Sequence, residues 1–270
     1  EQFQAQLLLG VSLLGEDQYA RAIPHLERAT DLNPRDVSSL YLLNRAYLET
    51  KAYEKALQSF TRLESLAPNS PWVRILRGQA YDGLGTYNKA VEEFQQARDQ
   101  LPDDATIRFS LGFMHWKLRH FSEALPELEA AMKLDPQFRE AQYYLADSYV
   151  MDERAEQALP LLKNLLTDKP QDIRAQLVLG KALEKLNRNE EAAQALEAAL
   201  RLDPTRADGH YQLGRVYRKL SREADARREF AQAQTLQKQK REEHESLLRA
   251  SGARGDPTQG LEISPSRKQE

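Results

Sequence analysis

Proline falls every 34 residues along most of this chain: Pro34, Pro68, Pro102, Pro136, Pro170 and Pro204 follow one another without an insertion or deletion. A fixed period of that length marks a repeat architecture, built from small units that bury their apolar faces only by stacking on their neighbours. With proline at frame position 32, seven repeats begin at Phe3, Val37, Pro71, Ala105, Arg139, Ile173 and Ala207. Columns that play no part in setting the frame then fall into line. Position 20 is alanine in all seven repeats, from Ala22 to Ala226. Position 8 reads Gly10, Asn44, Gly78, Gly112, Ala146, Gly180 and Gly214, and position 24 is always Leu or Phe. Position 7 is leucine except at Arg77.

Small residues at positions 8 and 20 let two antiparallel helices approach closely, while Leu or Phe at 24 and mostly Ala at 27 supply an apolar face at helical spacing. Proline at 32 ends the second helix of each repeat, because it disfavours helical geometry in the residue before it. Asp36, Ser70, Asp104 and Asp172 stand where the next helix starts and read as caps, and Ser70-Pro71 places proline at a first helical position. Pro24, Pro126 and Pro160 share position 22, early in the second helix, where proline is tolerated in the first turn and otherwise bends the helix slightly.

These residues resemble the tetratricopeptide repeat family, whose pattern of Gly, an aromatic, Ala, Phe and Ala before Pro is matched by Gly78, Tyr81, Tyr87, Ala90, Phe94, Ala97 and Pro102. The resemblance implies an all-α fold, a right-handed α-solenoid (superhelix) of seven helix-turn-helix repeats over residues 3–240. Residues 241–250 read as an extension of the last helix whose polar face caps the stack, and residues 251–270, rich in Gly, Pro, Ser and charge, as a disordered tail. One departure is position 4, where the family's large aromatic gives way to Gln6, Leu40, Arg74, Arg108, Gln142, Gln176 and His210. That change is expected to weaken packing between repeats.

Composition narrows the function. The chain has no cysteine, which excludes disulfides, cysteine-ligated metal and thiol nucleophiles. A net charge of −3 argues against a nucleic-acid binder. No apolar stretch reaches the roughly 20 residues of a membrane span, so the chain reads as soluble. It lacks a starting Met and reads as a processed or excised fragment, which leaves its compartment undetermined. No nucleotide loop or Ser/His/Asp set is present, so neither a cofactor nor an enzymatic activity is expected.

The family resemblance also implies a concave groove reached from positions 2, 5, 9, 12 and 13 of the first helices. On that mapping repeats one to five offer Leu7, Val11, Leu14, Tyr41, Arg45, Leu48, Trp72, Ile75, Phe109, Phe113, Trp116, Tyr143 and Val150. Repeats six and seven add Leu177 and Tyr211, then turn cationic with Arg174, Lys181, Lys185, Arg215, Arg218 and Lys219 against Glu184 and Asp208. Phe109, Phe113 and Trp116 share one helix face, so they either pack between neighbouring first helices or form an exposed patch that marks an interaction site. The expected function is a scaffold that holds a protein or peptide with apolar or aromatic anchors at one end and acidic groups at the other. Two alternatives stand beside it: an assembly module, or a substrate-positioning domain of a larger enzyme.

Other signals are weaker. The Lys and Asn pattern of a carboxylate clamp is absent from Leu7, Val11, Tyr41 and Arg45, and no asparagine ladder runs through position 6. His115 and His120 are five apart, the wrong spacing for shared metal ligation on one helix, and His115 reads as a packing residue. Arg254-Gly255-Asp256 spells an integrin-type tripeptide, a pattern short enough to arise by chance.

Overall fold

The computed structural model describes residues 1–250, with side chains to Arg249. The tail and its Arg254-Gly255-Asp256 lie outside the described residues. Fourteen helices and no strand occur among them. They pair as α1 (Gln2–Gly15) with α2 (Tyr19–Leu32), α3 (Val37–Glu49) with α4 (Tyr53–Leu66), and α5 (Pro71–Gly83) with α6 (Tyr87–Gln100). Next come α7 (Ala105–Lys117) with α8 (Phe121–Leu134), α9 (Arg139–Met151) with α10 (Ala155–Asp168), α11 (Ile173–Lys185) with α12 (Asn189–Leu202), and α13 (Ala207–Lys219) with α14 (Glu223–Ala250). The helices form a repeat solenoid that falls into two compact units, residues 1–170 and residues from 171 onward. From the second repeat on, every first helix starts at frame position 1 and ends at 13, as the proline register predicts.

The close approach at position 8 is real. A β-carbon added to Gly10, Gly78, Gly112, Gly180 or Gly214 would stand 2.5 to 2.9 Å from the position-24 side chain of the same repeat. In the first six repeats that side chain is at most 2% exposed. Asp36, Asp104 and Asp172 each accept a hydrogen bond from a backbone N–H of the following helix. Ser70 makes no such side-chain bond; Pro71 fixes the first turn there instead. Pro24, Pro126 and Pro160 are the sixth residues of their helices, past the first turn, and lie on the exposed side where solvent can satisfy the freed carbonyl.

Each turn between the two helices of a repeat closes identically. The N–H at position 16 donates to the carbonyl at position 11 over 2.8 to 2.9 Å in all seven repeats, from Gln18 to Leu13 through Arg222 to Tyr217. Position 15 is left-handed each time: Asp17, Lys51, Gly85, Arg119, Glu153, Asn187 and Ser221 have φ between 56° and 71°. This is a Schellman closure, and only one of the seven holds the glycine that such a turn favours. A non-glycine residue in this conformation costs about 1–2 kcal/mol, so Glu153→Gly is expected to stabilise the chain by about 1 kcal/mol after the greater unfolded-state freedom of glycine is subtracted. Asn187→Gly should gain less, because asparagine tolerates the left-handed region. Urea midpoints of the two variants check the ranking.

In five repeats the polar residue at position 4 has a partner at position 23 of the same repeat. Gln6 meets His25 at 2.8 Å, Arg108 meets Glu127 at 2.8 Å, and His210 meets Glu229 at 2.6 Å. Gln142 donates to the Leu161 carbonyl at 3.1 Å. In repeat three, Arg77, the one break in the leucine column, donates to Glu93 at 2.9 Å with Arg74 3.4 Å from the same carboxylate, and also reaches Glu64 at 2.6 Å. The missing aromatic is thus replaced by a polar bridge within the repeat.

A second link ties neighbouring repeats. Tyr47, Tyr149 and Tyr217 at position 11 donate to Glu27, Glu129 and Glu197 at position 25 of the preceding repeat, over 2.6, 2.6 and 2.8 Å. Burial and the accepting carboxylate push the phenols of Tyr149 and Tyr217 up to about 12. The folded chain therefore keeps protons that unfolded tyrosine loses near 10, and stability falls as pH rises through the window from about 10 to 12. The double variant Tyr149→Phe/Tyr217→Phe should flatten that decline while leaving the pH 7–9 plateau level, as read from denaturation midpoints across pH.

Helix α14 runs unbroken through Lys238, where a seventh repeat proline would have stopped it. Sequence reading expects its polar face to lie across the end of the stack. Instead residues 237–249 are all exposed. The stretch from Gln237 to Ser246 has no apolar stripe to hold it down, and i,i+4 pairs such as Lys238–Glu242 at 3.8 Å and Arg241–Glu245 at 3.9 Å support it.

Candidate partner-binding face

In the first unit the aromatic residues of α7 meet α9. Phe109 stacks on Phe113 with centroids 5.7 Å apart, and Phe113 on Trp116 at 5.8 Å. Tyr144 of α9 lies against all three, at 6.0, 4.5 and 4.8 Å. Tyr143 meets Tyr144 edge-on at 5.0 Å, and Phe138 closes the other end on Phe109 at 4.7 Å. The Trp116 indole N–H donates to Asp147 Oδ2 at 2.8 Å, so the indole plane is fixed from the next repeat. Lys117 sits 4.5 Å from the Phe113 ring centre and pairs with Asp82.

Phe109, Phe113, Trp116 and Tyr143 are all half-buried: they pack between neighbouring first helices and keep part of their surface open. Leu7, Tyr41 and Ile75 are half-buried too, seated at the edges of apolar clusters, whereas Val11 (43%) and Trp72 (53%) stand exposed and Arg45 faces solvent. Leu14, Val150 and Leu177, expected on the groove, are buried at 8%, 0% and 5% and belong to the core. Among the sequence candidates the structure therefore gathers Phe109, Phe113, Trp116 and Tyr143 into one site. Tyr144, Asp147 and Phe138 complete it. Asp147 stands at position 9, a column that the family resemblance assigns to the groove, so a carboxylate among aromatics was the available signal.

In the second unit the cationic residues are organised by Glu184. Its carboxylate is almost wholly buried, with Arg215 at 2.9 Å and Lys219 at 3.0 Å. Lys181 is half-buried, and Arg215 and Arg218 are exposed. Arg218 lies 5.7 Å from the Phe230 ring, which also packs on Tyr211 at 5.6 Å. Tyr211 itself is 52% exposed. One buried carboxylate thus faces two of these cations.

His115, on α7 itself, is half-buried, and burial holds its imidazole below the ordinary value. No group of three or more metal-ligating side chains converges among the described residues, and no helix there is long and apolar enough to cross a membrane.

Successive stacked helix pairs of this kind define a helical-repeat protein. The chain belongs to the tetratricopeptide repeat family: family models described as tetratricopeptide repeat match residues 7–71 and residues 48–111, 115–182 and 149–198, and a TPR repeat model matches 180–221. No curated protein matches the chain by sequence. Among solved structures, a tetratricopeptide repeat protein from Parabacteroides merdae is similar over 87% of this chain and 93% of its own, with 15% identity and a TM-score of 0.66. YrrB, described as a TPR protein with an unusual peptide-binding site, is similar over 68% of this chain and 95% of its own, with 19% identity and a TM-score of 0.61. MamA (residues 41 to the end) from Desulfovibrio magneticus RS-1 is similar over 63% and 96%, with 21% identity and a TM-score of 0.58. At these identities the likeness is one of fold.

Proposed function

We propose that the chain is a non-catalytic scaffold whose first helices hold a segment of another protein. The observation that carries this reading is the partly open aromatic array of Phe109, Phe113, Trp116, Tyr143 and Tyr144, fixed in place by the Trp116–Asp147 bond. Rigid, half-exposed aromatics lose little entropy on binding and are the residue type that dominates binding hot spots. Leu7, Val11, Tyr41, Trp72 and Ile75 extend apolar surface through the earlier repeats. In the second unit, Lys181, Arg215 and Arg218 with Lys219 supply a cationic face for acidic groups. A partner-bound YrrB-type site is consistent with this reading, since that protein is described as peptide-binding.

The test is a peptide selected from a random library on the intact chain. It should carry aromatic or aliphatic anchors together with acidic residues. Phe113→Ala is expected to weaken its binding by at least about 30-fold, the factor for a hot-spot loss of about 2 kcal/mol, with helicity by circular dichroism unchanged. Reversing the peptide's acidic charges should weaken it about 10-fold. A selected peptide indifferent to both changes would overturn the reading.

A further inference from the structure

We propose that Lys117 is a positioning residue for Phe113, its ammonium holding that ring in the conformation that meets the partner. The proposal rests on the scaffold reading above and brings Asp82 and Tyr87 into the same site.

Phe113 and Lys117 are four residues apart on α7, so their side chains share one face of that helix. The Lys117 ammonium lies over the Phe113 ring, 4.5 Å from its centre, and over the Tyr87 ring at 5.1 Å. Both distances are inside the roughly 6 Å reach of a cation–π contact. Asp82 Oδ1 accepts a hydrogen bond from the same ammonium. The lysine therefore ties together one residue from each of α5, α6 and α7. Tyr87 and Phe113 also pack on one apolar cluster with Phe94, Leu111 and Met114. A long side chain with many rotamers holds nothing by itself. Here three contacts fix its far end.

The same link recurs in the second unit, which shows what is special about the first. Glu184 at position 12 pairs with Lys219 at position 13 of the next repeat at 3.0 Å, as Asp82 pairs with Lys117. An acid at 12 and a lysine at the following 13 thus tie adjacent first helices. The difference lies at position 9, one turn before the lysine. It is Arg215 in the second unit and Phe113 in the first, and repeat four alone has an aromatic residue in that column. Trp116 on the same helix is held from the other neighbour, by Asp147 of repeat five. The aromatic row of α7 is fixed from α5 through Lys117 and from α9 through Asp147.

The side chains of Lys117 and Asp82 are 23% and 26% exposed, and ion pairs this close to solvent add little to folding stability. Their effect falls on binding. A ring already held in its bound rotamer loses less freedom when a partner docks.

Lys117→Met keeps the apolar stem and removes the charge. It should weaken binding of the peptide selected on the intact chain about 5-fold, within the range for freeing one side chain at an interface, and leave the urea midpoint unchanged. Asp82→Asn should act in the same direction. Lys117→Arg should keep most of the affinity, since a guanidinium also stacks on rings and pairs with carboxylates. On a Phe113→Ala background Lys117→Met should have no further effect. A second loss of the same size there would show that the lysine acts elsewhere and would overturn the proposal. The fluorine NMR signal of para-fluorophenylalanine in place of Phe113 reads the ring without any peptide, and should shift or broaden in Lys117→Met. Unchanged affinity with an unchanged fluorine signal overturns the proposal alone if Phe113→Ala still weakens binding. It overturns the scaffold reading as well if Phe113→Ala does not.

Discussion

Gly180→Val lowers stability by about 3 kcal/mol, the upper part of the range for overpacking a full core, whereas Gly180→Ala is close to neutral. A β-carbon at this site meets Leu196 Cγ at 2.5 Å, and Leu196 is fully buried. Something must move for either substitution. For alanine the strain of a single methyl is offset by the gain of about 1 kcal/mol from replacing glycine inside a helix. Ala146 shows that the column accepts a methyl group when the pair is built for it. Valine adds two further carbons in a fixed rotamer and forces α11 off α12. Urea denaturation followed by hydrogen exchange in these two helices reads the effect locally, which matters because repeat arrays need not unfold as one cooperative unit.

Glu93→Leu should cost about 3 kcal/mol, the scale for breaking a buried pair from one side. Glu93 is 8% exposed and faces both Arg74 and Arg77, whose side chains are only 12% and 15% exposed. Removing the carboxylate strands two guanidinium groups in a poorly hydrated seam, with Glu64 left to serve Arg77 alone. Adding Arg77→Leu restores the residue that position 7 carries in every other repeat. The double variant should recover at least half the loss, because an apolar replacement of a buried pair is close to neutral. A double-mutant cycle on denaturation midpoints measures this directly. If the double variant is no better than Glu93→Leu, the bridge is not what holds this seam.

The repeat was legible in the sequence because its rules are single-column rules. Proline at 32, a small residue at 8 and an apolar one at 24 each act alone, and each recurs often enough to fix helix ends to the residue. What stayed hidden depends on pairs or on backbone. The left-handed residue at position 15 is a backbone requirement that six different side chains satisfy, so Lys51 and Arg119 carry no visible mark of it. The bridges between positions 4 and 23 read as a defect in one column until Arg108 and Glu127 are seen together. Tyr144 and Asp147 are 28 and 31 residues from the tryptophan they hold, and only the stacking of α7 on α9 brings them to it. Glu184 read as an exposed counter-charge, yet it is a buried post on which Arg215 and Lys219 are anchored.

Amide hydrogen exchange of the intact chain, with and without its selected peptide, tests the central claim most directly. The account predicts that protection on binding is greatest in α7 and α9, around Phe113 and Tyr144, and that Phe113→Ala removes it. Protection confined to the second helices, or left unchanged by Phe113→Ala, would contradict the account and place the binding surface elsewhere.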